Sequence, residues 1–122
     1  MLRLVDTHCH LDVQEFDADR DAVVARARAA GVTRQIVPAI EAATWPGLRD
    51  ACARDAGLFP AYGLHPLLIA SHREAHLREL RAWIERERPV AIGECGLDYW
   101  VEDLDRDVQA AFFDAQLRLA RE

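Results

Sequence analysis

Apolar and polar positions change period several times along the chain, and each change marks an element. Leu2, Leu4 and Val5 open an apolar run, so Met1 to about His10 reads as a buried β-strand. Asp17 or Asp19 then offers an N-cap for a helix through Ala22, Val23, Ala27 and Ala30, and Gly31 stands where a left-handed residue closes it. Val32 to Ile40 returns to strand character, with Pro38 ending or distorting it. Thr44 caps the next helix, Pro46 sits just inside it, Leu48, Ala51 and Cys52 form its apolar face, and Gly57 closes it. Leu58 to Leu64 is a third strand, running into Gly63-Leu64-His65-Pro66. Ser71-x-x-Glu74 matches a capping box, and the helix behind it aligns Leu77, Leu80, Arg81 and Ile84 until Pro89 stops it. Val90-Ala91-Ile92 starts a fourth strand that enters Gly93-Glu94-Cys95-Gly96-Leu97-Asp98-Tyr99, and a last helix from about Asp105 carries Val108, Ala111, Phe112, Ala115 and Leu119. The alternation β-α-β-α-β-α-β-α predicts a parallel sheet with right-handed crossovers, whose ligands gather at the carboxyl ends of the strands.

Composition narrows this to one soluble domain over residues 1–122. Half the residues (51%) are apolar, enough for a real core, and no apolar run approaches the ~20 residues of a membrane span. Three cysteines (Cys9, Cys52, Cys95) without Cys-x-x-Cys spacing predict free thiols and a reducing compartment, with the cytoplasm as default. The net charge of −6 argues against nucleic-acid binding by a broad basic surface, but not against a nuclease whose metal ions supply the positive charge.

The candidate chemistry lies at the predicted strand ends. Strand side chains alternate with a period of two, so His8 and His10 point the same way, roughly 7 Å apart along the chain. Two neutral imidazoles so placed can grip one cation; the plainer reading is a pair of inert strand-end histidines. Glu94 has the parity of Val90 and Ile92 and lies in a Gly-rich turn, and with His8 and His10 it would make a His₂Glu ligand set. His65 is a candidate for a substrate phosphate or carbonyl, or simply a hydrogen-bonded histidine before a turn. Asp98 could orient a water or an arginine, or only mark a helix entry. His72 and His76, four apart among charged neighbours, read as a solvated helix face rather than a metal clip.

With Asp6-Thr7-His8-Cys9-His10-Leu11, Gly63-Leu64-His65-Pro66 and Gly93-Glu94-Cys95-Gly96-Leu97-Asp98-Tyr99 in this order, the chain resembles the TatD family of metal-dependent deoxyribonucleases. The closing Gln116-Leu117-Arg118-Leu119-Ala120 helix fits the same pattern, so the resemblance covers essentially the whole chain. It implies an amidohydrolase-like (β/α)₈ barrel of the TIM type that cleaves phosphodiester bonds of DNA by metal-activated water. It also implies divalent ions, two in the complete design, of zinc, magnesium or manganese. His8 and His10 resemble ligands of one ion, and Glu94 resembles the carboxylate shared with the second. Read from the residues themselves, His65 and Asp98 are the candidates for substrate binding.

A complete barrel takes about 250 residues, and this chain supplies only the first four β-α units. The family's two further histidines and its aspartate, which also positions the attacking water, have no counterpart here. The catalytic base is therefore expected beyond Glu122. Cys95 stands where the family usually has an aliphatic residue. An open four-stranded sheet calls for cover, either from a second copy closing a two-fold barrel or from a carboxy-terminal half. Two other readings stay open: another hydrolase of the superfamily acting on an amide or carboxylic ester, and a non-catalytic half-barrel that binds only metal or a partner.

Overall fold

The structure, a computed structural model, describes residues 2–122. Three parallel strands form one sheet in the order β1-β2-β3: β1 Leu4–Asp6, β2 Val32–Pro38 and β3 Leu58–Ala61. Ile36 lies opposite Phe59, and Val5 opposite Arg34 after a register shift between Leu4 and Val5. Between and after them run α1 Arg20–Ala29, α2 Trp45–Cys52, α3 Glu74–Glu87 and α4 Arg106–Arg121. The crossovers bring the helices onto one face of the sheet, where Val37 and Gln35 are buried. Ile36 and Pro38, of opposite parity, face the other side with His8, Ala61, Ile92 and Glu94. Among the described residues no helix is long and apolar enough to cross a membrane.

Two expected strands change. β1 stops at Asp6, so His8 and His10 lie beyond it, after a bend at Thr7, in an irregular segment rather than on a continuing strand. The fourth strand does not form: Ile92 makes a single parallel bridge to Tyr62, and the sheet has three strands. Pro60 removes one N–H from β3, and Pro89 and Gly93 bracket only three apolar residues, too few for a ladder with one neighbour. The segment is still held in a strand's place. Gly93 N–H donates to Tyr62 O (3.0 Å) and Glu94 N–H to Ala39 O (2.7 Å), across a cis Gly93–Glu94 peptide. Gly63 permits this approach, since a Cβ there would come within 2.7 Å of the Glu94 carbonyl oxygen.

Helix ends also depart from their signals. Gly31 takes the left-handed conformation expected of it (φ 101°). Asp19 and Thr44 occupy their N-cap positions without a side-chain cap, the Thr44 hydroxyl donating instead to Glu41 O (2.8 Å). α2 ends at Cys52, before Gly57. Ser71 closes a 3₁₀ turn, Pro66–Ser71, and Arg73 becomes the N-cap of α3, its N–H donating to His76 Nδ1 (3.1 Å). Only α4 begins with the expected cap, Asp105 accepting from the N–H groups of Asp107 and Val108.

The core lies between sheet and helices. Trp45, Tyr62, Leu48, Leu64 and Leu80 are essentially inaccessible there. Trp83 packs on Tyr62 and Trp45, its ring flanked by the guanidinium groups of Arg86 (4.3 Å) and Arg49 (5.4 Å).

Candidate metal centre

The bend after β1 gives His8 and His10 their geometry. Asp6 Oδ1 accepts the His8 N–H (3.1 Å), and Cys9 N–H continues toward β2 by donating to Ile36 O (3.1 Å). Arg20 of α1 holds the far end of the segment, donating to the carbonyls of Leu11, Asp12 and Val13. The two imidazoles meet edge to face, with ring centroids 4.9 Å apart and Nε2 atoms 3.1 Å apart. The Glu94 carboxylate closes the triangle, Oε1 at 3.4 Å from His8 Nε2 and Oε2 at 3.3 Å from His10 Nε2. Among the described residues this is the one group of three or more histidine, cysteine or carboxylate ligands whose donor atoms lie within 4.8 Å of one another. Cys9, between the histidines, turns away, its thiol toward Ile36 O. Burial pushes that thiol's pKa up, so it is no thiolate ligand at neutral pH.

His65 arrives from the loop after β3, its Nε2 3.5 Å from Glu94 Oε1. Its Nδ1 accepts the Leu67 N–H (3.0 Å), so in the neutral ring the proton sits on Nε2 and faces the carboxylate. The structure does not add Asp98 to this cluster. Its carboxylate accepts the Trp100 N–H (3.0 Å) within its own loop.

Three residues outside the strand ends build the surroundings of the cluster. His72, expected on a solvated helix face, is buried (8% exposed) and precedes α3. Its Nε2 donates to His65 O (2.8 Å), and its ring packs near Phe112. Burial holds its pKa below the ordinary value, so it stays neutral. Gln109 and Gln116 are the most buried residues of α4, at 1% each, deeper than the apolar stripe that announced the helix. Gln116 accepts from Leu64 N–H (2.9 Å) and donates to Leu64 O (3.3 Å). Gln109 accepts from Asp98 N–H (2.9 Å) and donates to the carbonyls of Asp98 (2.9 Å) and Pro66 (3.2 Å). α4 thereby ties the His65 loop to the Asp98 loop. Their seven-residue spacing on one helix face was the only sequence signal for the pair.

Parallel strands joined by helices, with two imidazoles and a carboxylate converging at the strand ends, define part of an α/β barrel carrying a cluster able to hold a metal ion. The chain belongs to the TatD-related DNase family, whose model matches residues 5–122. It is 38% identical over 121 residues to YjjV of Escherichia coli (strain K12), named an uncharacterized metal-dependent hydrolase, covering 98% of this chain and 47% of that one. A 3'-5' ssDNA/RNA exonuclease TatD of Pantoea sp. (strain At-9b) is 37% identical over 124 residues, with 98% and 46% covered. The crystal structure of the E. coli YjjV protein superposes with a TM-score of 0.91 over 97% of this chain and 46% of that chain. The chain thus spans about half the length of the curated relatives it matches, and has the fold of about half a TatD barrel.

Proposed function

We propose that this chain carries the first metal grip of a phosphodiesterase acting on single-stranded DNA or RNA, with His8, His10 and Glu94 holding one divalent ion. The observation that carries the reading is the convergence of three donor groups. The two Nε2 atoms are 3.1 Å apart, each lies within 3.4 Å of a different oxygen of Glu94, and one ligand atom from each residue falls within 4.8 Å of the others. That is close enough for side-chain adjustment to bring one oxygen and both nitrogens to the roughly 3.3 Å spacing of tetrahedral ligands. Two neutral nitrogens and one carboxylate also suit zinc, with manganese and magnesium as alternatives when more oxygen ligands join. Such an ion, once bound, lowers the pKa of a water and screens charge on a phosphate.

The chain's own groups do the rest of what falls to it. His65 presents an Nε2–H donor, fixed in that tautomer by Leu67 and held in place through its carbonyl by His72, to an oxygen of the substrate phosphate. The Glu94 carboxylate lies 3.5 Å from that same nitrogen. Asp98 stays a candidate for substrate binding, its Oδ1 also steadying its own loop by accepting the Trp100 N–H. A second ion, and the base that takes the water's proton, are assigned to residues equivalent to the other half of the relatives. A polypeptide of that kind, or a second copy of this chain, would close the barrel.

The test is cleavage of end-labelled single-stranded DNA and RNA with zinc, magnesium or manganese, by this chain alone and mixed with the second half of the E. coli relative. The chain alone should show little cleavage, because each missing catalytic group costs a factor of about 10² or more. The mixture should cleave, and His10→Ala should abolish it. Cleavage by the mixture that survives the double variant His8→Ala/His10→Ala sinks the reading.

A further inference from the structure

A second feature adjoins His10. The turn after β1 and the loop between β2 and α2 enclose an open groove of about 810 Å³, into which His10 faces from one end. Its lining joins the apolar Pro38, Ile40 and Leu48 to the acidic Glu15 and Glu41, with Asp12, whose Oδ1 is buried without a partner, beside them. Among the described residues no arginine lines it, although the chain has 15.

Gly47 shows that the open wall is a feature of the sequence rather than of the fold. It is the third residue of α2, its φ is not positive, and a Cβ added there would meet nothing within 4 Å. Glycine is a poor helix former, and no close approach demands it here. What its missing side chain preserves is space in the groove.

We propose that the groove is a nucleobase subsite of the metal centre, taking the base next to the phosphate held there; this rests on the function proposed above. The lining decides the ligand. Glu15 and Glu41 lie along the groove with no arginine in its lining, which disfavours a phosphate there, and the described residues offer no second cluster in which they would share an ion. Apolar side chains with acceptors among them suit a flat, uncharged ring that brings its own donors. The exocyclic amines of adenine, cytosine and guanine are such donors, whereas thymine and uracil carry carbonyls in their place. The base must be free of a partner to enter, so the groove selects single strands.

The experiment is an amide-resolved NMR titration of the metal-free chain with deoxyadenosine, deoxycytidine, thymidine and deoxyribose 5-phosphate, followed by zinc. The two amine-bearing nucleosides should move amides in Val13–Glu15 and Ala43–Leu48 at millimolar concentration. Thymidine should bind at least roughly tenfold more weakly, the share of one hydrogen bond from amine to carboxylate, and the sugar phosphate should move nothing there. Gly47→Phe, and independently Ala43→Trp on the same groove, should remove the nucleoside shifts while leaving the zinc shifts at His8 and His10. Zinc shifts without any nucleoside shift in the groove overturn the subsite and leave the metal reading intact. Nucleoside shifts without zinc shifts do the reverse. Thymidine binding as well as deoxyadenosine overturns the recognition by amines.

Discussion

The sheet's two edges are finished in opposite ways. Beyond β3 the chain is dry: Ala61, Tyr62 and Leu64 are at most 1% exposed, roofed by Trp45, Leu48 and Leu80, and the backbone at Leu64 is bonded on both sides by Gln116. Along β1 the apolar residues face water, Leu2 at 72%, Leu4 at 43% and Val5 at 52%. The candidate metal centre draws on both edges. Glu94 is pinned to the closed side through Ala39 and Tyr62, while the His8 side chain, 53% exposed, belongs to the open one. Stability and chemistry are thus unevenly shared: the closed edge supplies the rigid carboxylate, and the open edge supplies the imidazoles together with a surface that calls for cover.

Breaking the closed edge should have the largest effect. Trp45→Ala, or Leu80→Ala in its place, should lower unfolding free energy by about 3–5 kcal/mol in urea titrations. Val5→Ala on the open edge should change it by less than about 0.5 kcal/mol. Equal losses at the two edges would contradict the contrast. Gln116→Leu comes next. It leaves the buried N–H and C=O of Leu64 without partners, at a cost of about 1–3 kcal/mol each when unrelieved, and hydrogen exchange at Leu64 should speed up with it.

The open edge is sharpened by a different readout. Exposed apolar side chains and an unpaired strand edge favour association, so light scattering after size exclusion should find the 122-residue chain as dimers or larger species. Leu4→Lys/Val5→Lys should return it to a monomer. A wild-type monomer at tens of micromolar would show that this edge needs no cover.

The smallest effect concerns pH. Burial holds His72 below its ordinary pKa of 6.5, so the unfolded chain binds a proton there where the folded chain does not. The contribution of neutral His72 is present above that pH and is lost as the pH falls from 6.5 toward its folded value. Urea midpoints at about pH 7.5 and about pH 5.5 should therefore differ more in the wild type than in His72→Gln.

These contrasts also show what the sequence could and could not tell. Helices were readable because their period is local, whereas their caps were readable only in α4, where Asp105 is the N-cap its sequence predicts and its cap bonds are the expected ones. Proximity of Glu94 to His8 and His10 followed from parity and from the rule that parallel strands gather their ends. The route differed, since a bend after Asp6, not a strand to His10, brings the rings together. The fourth strand was not readable because a strand needs a ladder on a neighbour, and three residues between Pro89 and Gly93 beside Pro60 do not obtain one. Gln109, Gln116 and His72 look like surface residues in the sequence. Only the folded backbone reveals the carbonyl and amide groups they satisfy.

The central claim is that His8, His10 and Glu94 hold one divalent ion together, and isothermal titration with zinc tests it most directly. One ion should bind per chain. His8→Ala, His10→Ala and Glu94→Gln should each weaken binding by at least tenfold, about 1.4 kcal/mol, while His65→Ala, whose proton-bearing nitrogen faces the carboxylate, should leave it nearly unchanged. Undiminished zinc binding in the triple variant, or loss of binding in His65→Ala alone, would contradict the account.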